Sequence, residues 1–318
     1  MILMHSRKQP LLNQKAEDVS EAVTVVVSII DHTKSRKGEN MESMTNAEYR
    51  KKEGISASDL KKMVKSMAHF KYYKDHPDES DSPALIFGRA IHKIVLEPYD
   101  FQNEYIVSPK FDRRTKEGKE AYAKFQAEAE GKEVIDEELY QTILNMKEEL
   151  YRTPYVKKLL LGEHEKSFFW TDEQTSIKCK CRPDSVGKLG DEHIIIDYKS
   201  CNDAETSAFM RDAIKFGYDI QAAHYIEGMK AITGHDYRFV FVCQEKAEPY
   251  LVNVLEADED FIKNGLYVRN ELLKTYKKCV ELDEYPGYMG FAEDKTYINT
   301  LTLPAWLKGA MDESSDDI

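Results

Sequence analysis

The sequence predicts an α/β domain, a mixed central sheet flanked by helices with an N-terminal helical elaboration, and three changes of pattern along the chain point to it. Capping signals and apolar residues at helical spacing dominate from residue 56 to about 162. Short β-branched and aromatic runs bounded by turn residues take over from 166 to 199, and helix and strand alternate from 204 to 280. A chain of 318 residues, 42% apolar and 32% charged, is long enough to bury such a core unaided.

Residues 1–44 hold polar stretches, a β-branched patch at Val23 to Ile30 and a basic segment at Lys34 to Gly38. They lack a sustained amphipathic period and read as an appendage. Ser56-Ala-Ser58-Asp59 reads as a helix start, with Ser56 capping free amides and Asp59 at the positive helix end. This helix is expected to run to about Tyr73, stopped by His76-Pro77, and a second spans Ala84 to Leu96 before Glu97-Pro98. After a loop at Ser108 to Gly118 come helices near Lys119 to Glu130 and Glu137 to Leu150, and a short one ending at Leu161-Gly162.

The runs at Lys166 to Trp170, Ile177 to Arg182 and His193 to Lys199 then read as an antiparallel meander, with Gly187 and Gly190 marking the tight connection between the last two. Helices are expected at Ala204 to Phe216 and Ile220 to Ile232, strands at Tyr237 to Gln244 and Tyr250 to Leu255, and a long helix at Asp258 to Val280. The main domain is thus placed at 45–300, followed by an acidic tail at 301–318 that carries Asp312, Glu313, Asp316 and Asp317.

Five cysteines without a secretory leader argue against a disulfide framework and for a reducing compartment, so a cytoplasmic location is expected. The apolar run at Val23 to Ile30 is far shorter than the ~20 residues of a spanning helix. A net charge of −12 would ordinarily count against binding a polyanion. Its distribution counts more, because Arg50 to Lys74 holds eight basic residues against two acidic ones. Lys110, Arg113, Arg114, Lys116 and Lys119 cluster again around the 108–118 loop. By themselves such runs are equally a solvated helix face.

The chemistry concentrates at Asp184, Asp197 and Lys199. Strand positions i and i+2 face one side, so Asp197 and Lys199 project together, and the connection before them brings Asp184 alongside. Two carboxylates there repel unless a cation joins them, and hard oxygen ligands suit Mg²⁺ or Mn²⁺. A lysine beside that ion can hold the attacking water and offset developing negative charge, as phosphodiester hydrolysis requires. The residues alone also fit an Arg-Pro-Asp turn beside a cross-strand ion pair. Against that, the apolar Ile194-Ile-Ile196 run puts these charges at the rim of a buried strand, where burial must be compensated.

The segment Cys181-Arg-Pro-Asp184 with Ile194-Ile-Ile-Asp197-Tyr-Lys199 resembles the motifs of PD-(D/E)xK nucleases, whose core is restriction-endonuclease-like. Four further stretches resemble the RecE (exonuclease VIII) branch of phage and prophage recombination exonucleases: Ile55 to Leu60, Phe87 to Lys93, Asp112 to Lys119 and Tyr218 to Tyr225. The likeness runs in order over about 45–290.

That resemblance implies a 5′→3′ exonuclease on linear duplex DNA, releasing mononucleotides and leaving 3′ single strands for a RecT-like annealing partner. Alternatives are a RecB-like or endonucleolytic PD-(D/E)xK nuclease and a non-catalytic DNA-end-binding module. It implies a catalytic set of Lys199, Asp197, Asp184, Glu165, Gln221 and Tyr225, with Glu163 competing with Glu165, and a Mg²⁺ set of His92, Asp184, Asp197 and Tyr198. Gln221 and Tyr225 stand one helical turn apart and so share a face.

DNA contacts are expected from Ser56, Ser58, Arg89, Arg113, Arg114, Lys116 and Lys119, with the Ser56/Ser58 helix start receiving a 5′-phosphate. The resemblance also implies a ring-shaped homo-oligomer, tetramer favoured over trimer, in a bacterial host cell. An iron–sulfur cluster needs four thiolates held together, whereas only Cys179 and Cys181 are closely spaced, so none is expected.

Overall fold

The computed structural model describes residues 41–42, 44–77, 82–160, 162–291 and 298–303. Val23 to Ile30, Lys34 to Gly38 and the acidic residues from Asp312 onward lie outside the described residues.

The chain opens with strand β1 (Met41–Glu42) and helices α1 (Asn46–Lys51), α2 (Ala57–Lys65) and α3 (Met67–Asp75). Thr45 and Ser56 each close a capping box with the acidic residue three positions on. The single helix expected from Ser56 to Tyr73 is two. Ser66 takes an extended conformation and its side chain accepts from the amide of His69, starting a new helix in place of continuing the old.

Helices α4 (Pro83–Leu96) and α5 (Phe101–Glu104) lead into β2 (Tyr105–Ser108), α6 (Lys116–Glu128), β3 (Glu133–Asp136), α7 (Glu137–Arg152) and α8 (Pro154–Leu159). The parallel pair β2–β3 has four residues per strand and was not anticipated from the sequence.

Strands β4 (Glu163–His164), β5 (Ser167–Thr171), β6 (Lys178–Cys181), β7 (Ser185–Leu189) and β8 (Glu192–Cys201) follow. They form no single meander. The chain leaves β6 through Arg182-Pro183-Asp184 and enters another sheet, in which β7 and β8 make the hairpin. The remaining elements are α9 (Thr206–Lys215), α10 (Tyr218–Thr233), β9 (Tyr237–Glu245), β10 (Val252–Glu256) and α11 (Glu259–Leu282).

The central sheet has the order β10-β9-β8-β7-β4 and is mixed: β8 and β9 are parallel, joined through α9 and α10, and its other neighbours are antiparallel. A smaller antiparallel sheet, β1-β5-β6, places Met41 and Glu42 opposite Phe168 and Ser167, so the expected appendage does not extend through these two residues.

Alternation along β8 divides the interior. Ile194, Ile196 and Tyr198 pack with α4, α7 and α8 on one face, while Ile195 packs with α2, α3, α10 and α11 on the other. The five cysteines are free and buried. No helix among the described residues is long and apolar enough to cross a membrane.

One buried group makes this packing sensitive to acid. His224 of α10 is 0% exposed, its Nε2 3.2 Å from the Lys180 carbonyl and its Nδ1 accepting from Arg269 Nε at 3.3 Å. A neutral imidazole with its proton on Nε2 satisfies both contacts. Burial, and then the Arg269 guanidinium, draw its pKa from 6.5 down to about 3. Between those values the unfolded chain binds the extra proton, so stability is lost as the pH falls through the window. The melting temperature is expected to drop below pH 6.5, and to drop less steeply in His224→Gln, which starts from lower stability at neutral pH. An equally steep acid limb in that variant would assign the effect to other groups.

Candidate active site

Asp184 and Asp197 meet where β7 and β8 run side by side. Ser185 faces Ile196 across that ladder, and continuing the register one step sets Asp184 level with Asp197. Asp184 is 8% exposed and Asp197 1%. Asp184 accepts the amide of Tyr198 at 2.7 Å, which fixes one carboxyl oxygen to the neighbouring strand. Asp197 Oδ1 accepts from Gln221 Nε2 at 2.6 Å, and its other oxygen is paired with the Lys199 ammonium. That Oδ2 has the Lys199 ammonium as its one partner among the described residues. Asp197 and Lys199 thus share one side of β8, as their spacing requires.

His92 comes from α4, which packs on the opposite face of the sheet from α10 and its Gln221. The centre therefore lies where β7 begins and its ladder with β8 stops, while β8 runs on beside β9 to Cys201, and groups from both faces converge at that gap. His92 Nδ1 is 3.4 Å from Asp184 Oδ2, and one ligand atom from each of His92, Glu165 and Asp184 lies within 4.8 Å of the others. Burial, then Lys199, keep His92 below its ordinary pKa, so this is a contact of neutral imidazole with a carboxyl group.

Glu165 reaches the trio from the bend between β4 and β5, where its φ of 52° is left-handed and its amide donates to the Asp184 carbonyl at 3.3 Å. Arg182 Nε donates to its carboxylate at 2.6 Å. Glu163 instead pairs with Val186 in β4 and is absent from the trio, so the geometry selects Glu165.

These carboxyl groups fit a cation. Burial and the neighbouring Asp197 push Asp184 up to about 8, and burial with Asp184 pushes Glu165 up to about 7. A bound positive charge would relieve both penalties. Burial alone would lower Lys199, but Asp197 and Asp184 outweigh it and hold the ammonium above its ordinary value. Carboxylate oxygens suit Mg²⁺, and adding an imidazole suits Mn²⁺ at least as well.

The other anticipated residues divide. Tyr225, one turn beyond Gln221, donates through its hydroxyl to the Arg182 carbonyl at 3.4 Å, close to the site but against its main chain. The Tyr198 hydroxyl points into the opposite core and donates to Gln244 Oε1 at 2.7 Å, so it is the main-chain amide that meets Asp184, while the ring packs edge-on against His92 at 5.2 Å. Ser56 is engaged in its capping box, with its hydroxyl donating to Asp59 at 2.7 Å, whereas Ser58 is exposed.

Arg89 pairs with Glu133 at 2.5 Å. Arg114 pairs with Asp112 at 3.0 Å and Arg113 lies over the Tyr122 ring at 4.9 Å. Lys116 and Lys119 are exposed at the start of α6. Arg113 and Arg114 line an open concavity of about 630 Å³, formed by the 110–114 segment itself and not by the carboxylate centre.

Sequence reasoning missed two cations. Arg182 holds Glu165 and also donates to the Met44 carbonyl at 2.9 Å. Lys61 donates to Gln221 Oε1 at 2.6 Å, and burial, then Lys199, draw it down to about 7. Arg182 was adjacent to the Pro-Asp signal, whereas nothing in the local sequence separates Lys61 from the lysines around it.

Comparison with known proteins agrees with this architecture. The family model described as a PDDEXK-like domain of unknown function (DUF3799) matches residues 56–296. The crystal structure of a protein named a putative exonuclease, from Eubacterium rectale, aligns with a TM-score of 0.54 at 15% identity, covering 86% of this chain and 99% of that one. At that identity the likeness is one of fold. A protein named SSO0001 aligns at 13% identity over 69% of this chain and 85% of its own, with a TM-score of 0.27, too low to carry an argument. No curated protein matches the sequence.

Proposed function

Because the chain belongs to the PDDEXK-like domain family, within the PD-(D/E)xK superfamily, we propose that it is a divalent-metal-dependent deoxyribonuclease that degrades linear duplex DNA from its ends. The observation that carries this is the convergence of Asp184, just before β7, with Asp197 and Lys199 of β8, with Gln221 hydrogen-bonded to Asp197 and His92 and Glu165 beside Asp184. A structural ion pair would account for Asp197 and Lys199 alone. It gives no reason for four further polar groups, Asp184, Gln221, His92 and Glu165, to crowd the same point.

In this reading His92, Glu165, Asp184 and Asp197 hold Mg²⁺ or Mn²⁺, which when bound neutralises charge on the scissile phosphate and lowers the pKa of water. Lys199 holds the attacking water and offsets charge as the phosphorus becomes five-coordinate. Gln221 fixes the Asp197 carboxylate, and Arg182 keeps Glu165 aimed at the trio.

Attack polarity from the 5′ end, release of mononucleotides, a RecT-like annealing partner and a ring-shaped oligomer are the finer parts of the proposal. They are supported by the ordered motif resemblance and by Ser58, which stands exposed on the first turn of α2. Helix amides left free at such a terminus attract a phosphate.

Linear duplex labelled at the 5′ or the 3′ end, compared with closed circular DNA, tests the proposal. Mg²⁺ or Mn²⁺ is expected to support release of 5′-terminal nucleotides from the linear form only, faster from a 5′-phosphate than from a 5′-hydroxyl. Ca²⁺ is expected to support binding without turnover. Cleavage of the circle would favour the endonucleolytic alternative, and metal-independent binding without cleavage would favour an end-binding module.

A further inference from the structure

We infer that Lys61 is a phosphate-binding lysine of this centre, contacting an unesterified oxygen of the DNA backbone in the ground state, apart from the catalytic Lys199. The inference rests on the nuclease reading above and adds a residue to it.

The fold places Lys61 there by a specific packing arrangement. Gly217 has a φ of 65°, and a Cβ on it would stand 3.3 Å from Lys61 Cγ. The missing side chain at 217 leaves room for the lysine stem to cross the start of α10. Its ammonium then lies 2.6 Å from Gln221 Oε1 and 4.9 Å from the centre of the Tyr218 ring. Lys199 lies 4.9 Å from the centre of that same ring. Both ammonium groups therefore lie 4.9 Å from the centre of one aromatic ring, and Gln221 links Lys61 to Asp197.

Charge is unevenly matched in this group. Asp197 is paired with Lys199, and no carboxylate pairs with Lys61 among the described residues. Of the nearby lysines, Lys71 pairs with Asp75 and Lys74 with Asp59, while Lys62 lies over the Tyr73 ring, away from the centre. Burial, then Lys199, depress the Lys61 pKa against the opposing pull of Asp197 and Asp219. A phosphate oxygen on Lys61 would supply the anionic partner that no carboxylate gives it among the described residues. Ser58 stands one turn earlier on α2, so the same helix offers a free amide end and a lysine to the incoming backbone. If Lys61 only supported Gln221, its loss would disturb Asp197 and catalysis without altering how many phosphates the protein neutralises.

The test uses Lys61→Met, which keeps the stem on Gly217 without the charge, and Lys61→Arg, which keeps the charge, both in the full chain. Binding of a 5′-phosphorylated duplex is measured in Ca²⁺ across a salt series, with hydrolysis followed separately in Mg²⁺. Lys61→Met is expected to retain its melting temperature to within a few degrees, to weaken duplex binding about tenfold, and to lower the slope of log Kd against log salt by about one. Lys61→Arg should restore that slope. A wild-type slope in Lys61→Met would overturn the inference, whatever happens to its rate. Binding with a Lys61-dependent slope but no hydrolysis by the wild type in any divalent ion would remove the nuclease reading and leave Lys61 as a phosphate ligand. Failure of the wild type to bind duplex would remove both.

Discussion

Asp197→Asn and Lys199→Met are each expected to lower kcat for DNA hydrolysis by about 10³-fold while leaving duplex affinity in Ca²⁺ within a few-fold of wild type. Each group is placed to act on charge that develops only as the phosphate is attacked, so its removal falls on turnover more than on binding. The two variants should differ in stability. Asparagine can still accept from Gln221, whereas Lys199→Met leaves the Asp197 carboxylate, 1% exposed, without its counter-charge. Breaking a buried pair from one side costs about 3–5 kcal/mol, and the 16% exposure of the Lys199 side chain moderates this. The double variant should therefore be more stable than Lys199→Met alone. Single-turnover rates and thermal melts of all three variants check both points, and activity within tenfold of wild type in either single variant would refute the catalytic assignment.

The sequence exposed the centre because strand alternation is a strong constraint. Ile194 to Ile196 had to be buried, the period of two then placed Asp197 and Lys199 on one side, and the structure pairs them there. The long helices were legible for a similar reason, since each carries its own caps and an apolar stripe.

Strand β7 was not legible. Ser185-Val-Gly-Lys-Leu189 has little hydrophobic alternation and its glycine reads as a turn, yet the register with β8 makes it a strand. Losing β7 also hid the division of the meander into two sheets. That division matters chemically, because the chain turns at Arg182-Pro183-Asp184 and this turn delivers Asp184 to Asp197 and Arg182 to Glu165. Lys61 was illegible for another reason. Its distinction from Lys62 and Lys65 comes from what α10 presents to it, Gly217, Tyr218 and Gln221, and not from its own neighbours.

A large packing effect on the site is expected from Gly265→Ala, in the contact between α10 and α11. A Cβ at 265 would stand 2.0 Å from the Asp219 carbonyl oxygen and 2.3 Å from its carbonyl carbon, both rigid backbone atoms of α10. The helices can accept the methyl group only by moving apart, which would pull on Asn264, whose amide donates to Asp219 Oδ2 at 2.6 Å, and shift Gln221 two residues along. Overpacking of this kind costs about 1–3 kcal/mol or more, against a gain of up to about 1 kcal/mol from replacing glycine within a helix. Gly88 supplies the control. It lies inside α4, and nothing stands within 4 Å of where its Cβ would be. Gly88→Ala should keep the helix gain and raise the melting temperature by about 2–4 °C, while Gly265→Ala should lower it by at least as much and weaken hydrolysis through displaced Gln221. Equal shifts in the two variants would mean that α10 and α11 are not in the close contact described, and the position of Gln221 against Asp197 would have to be reconsidered with it.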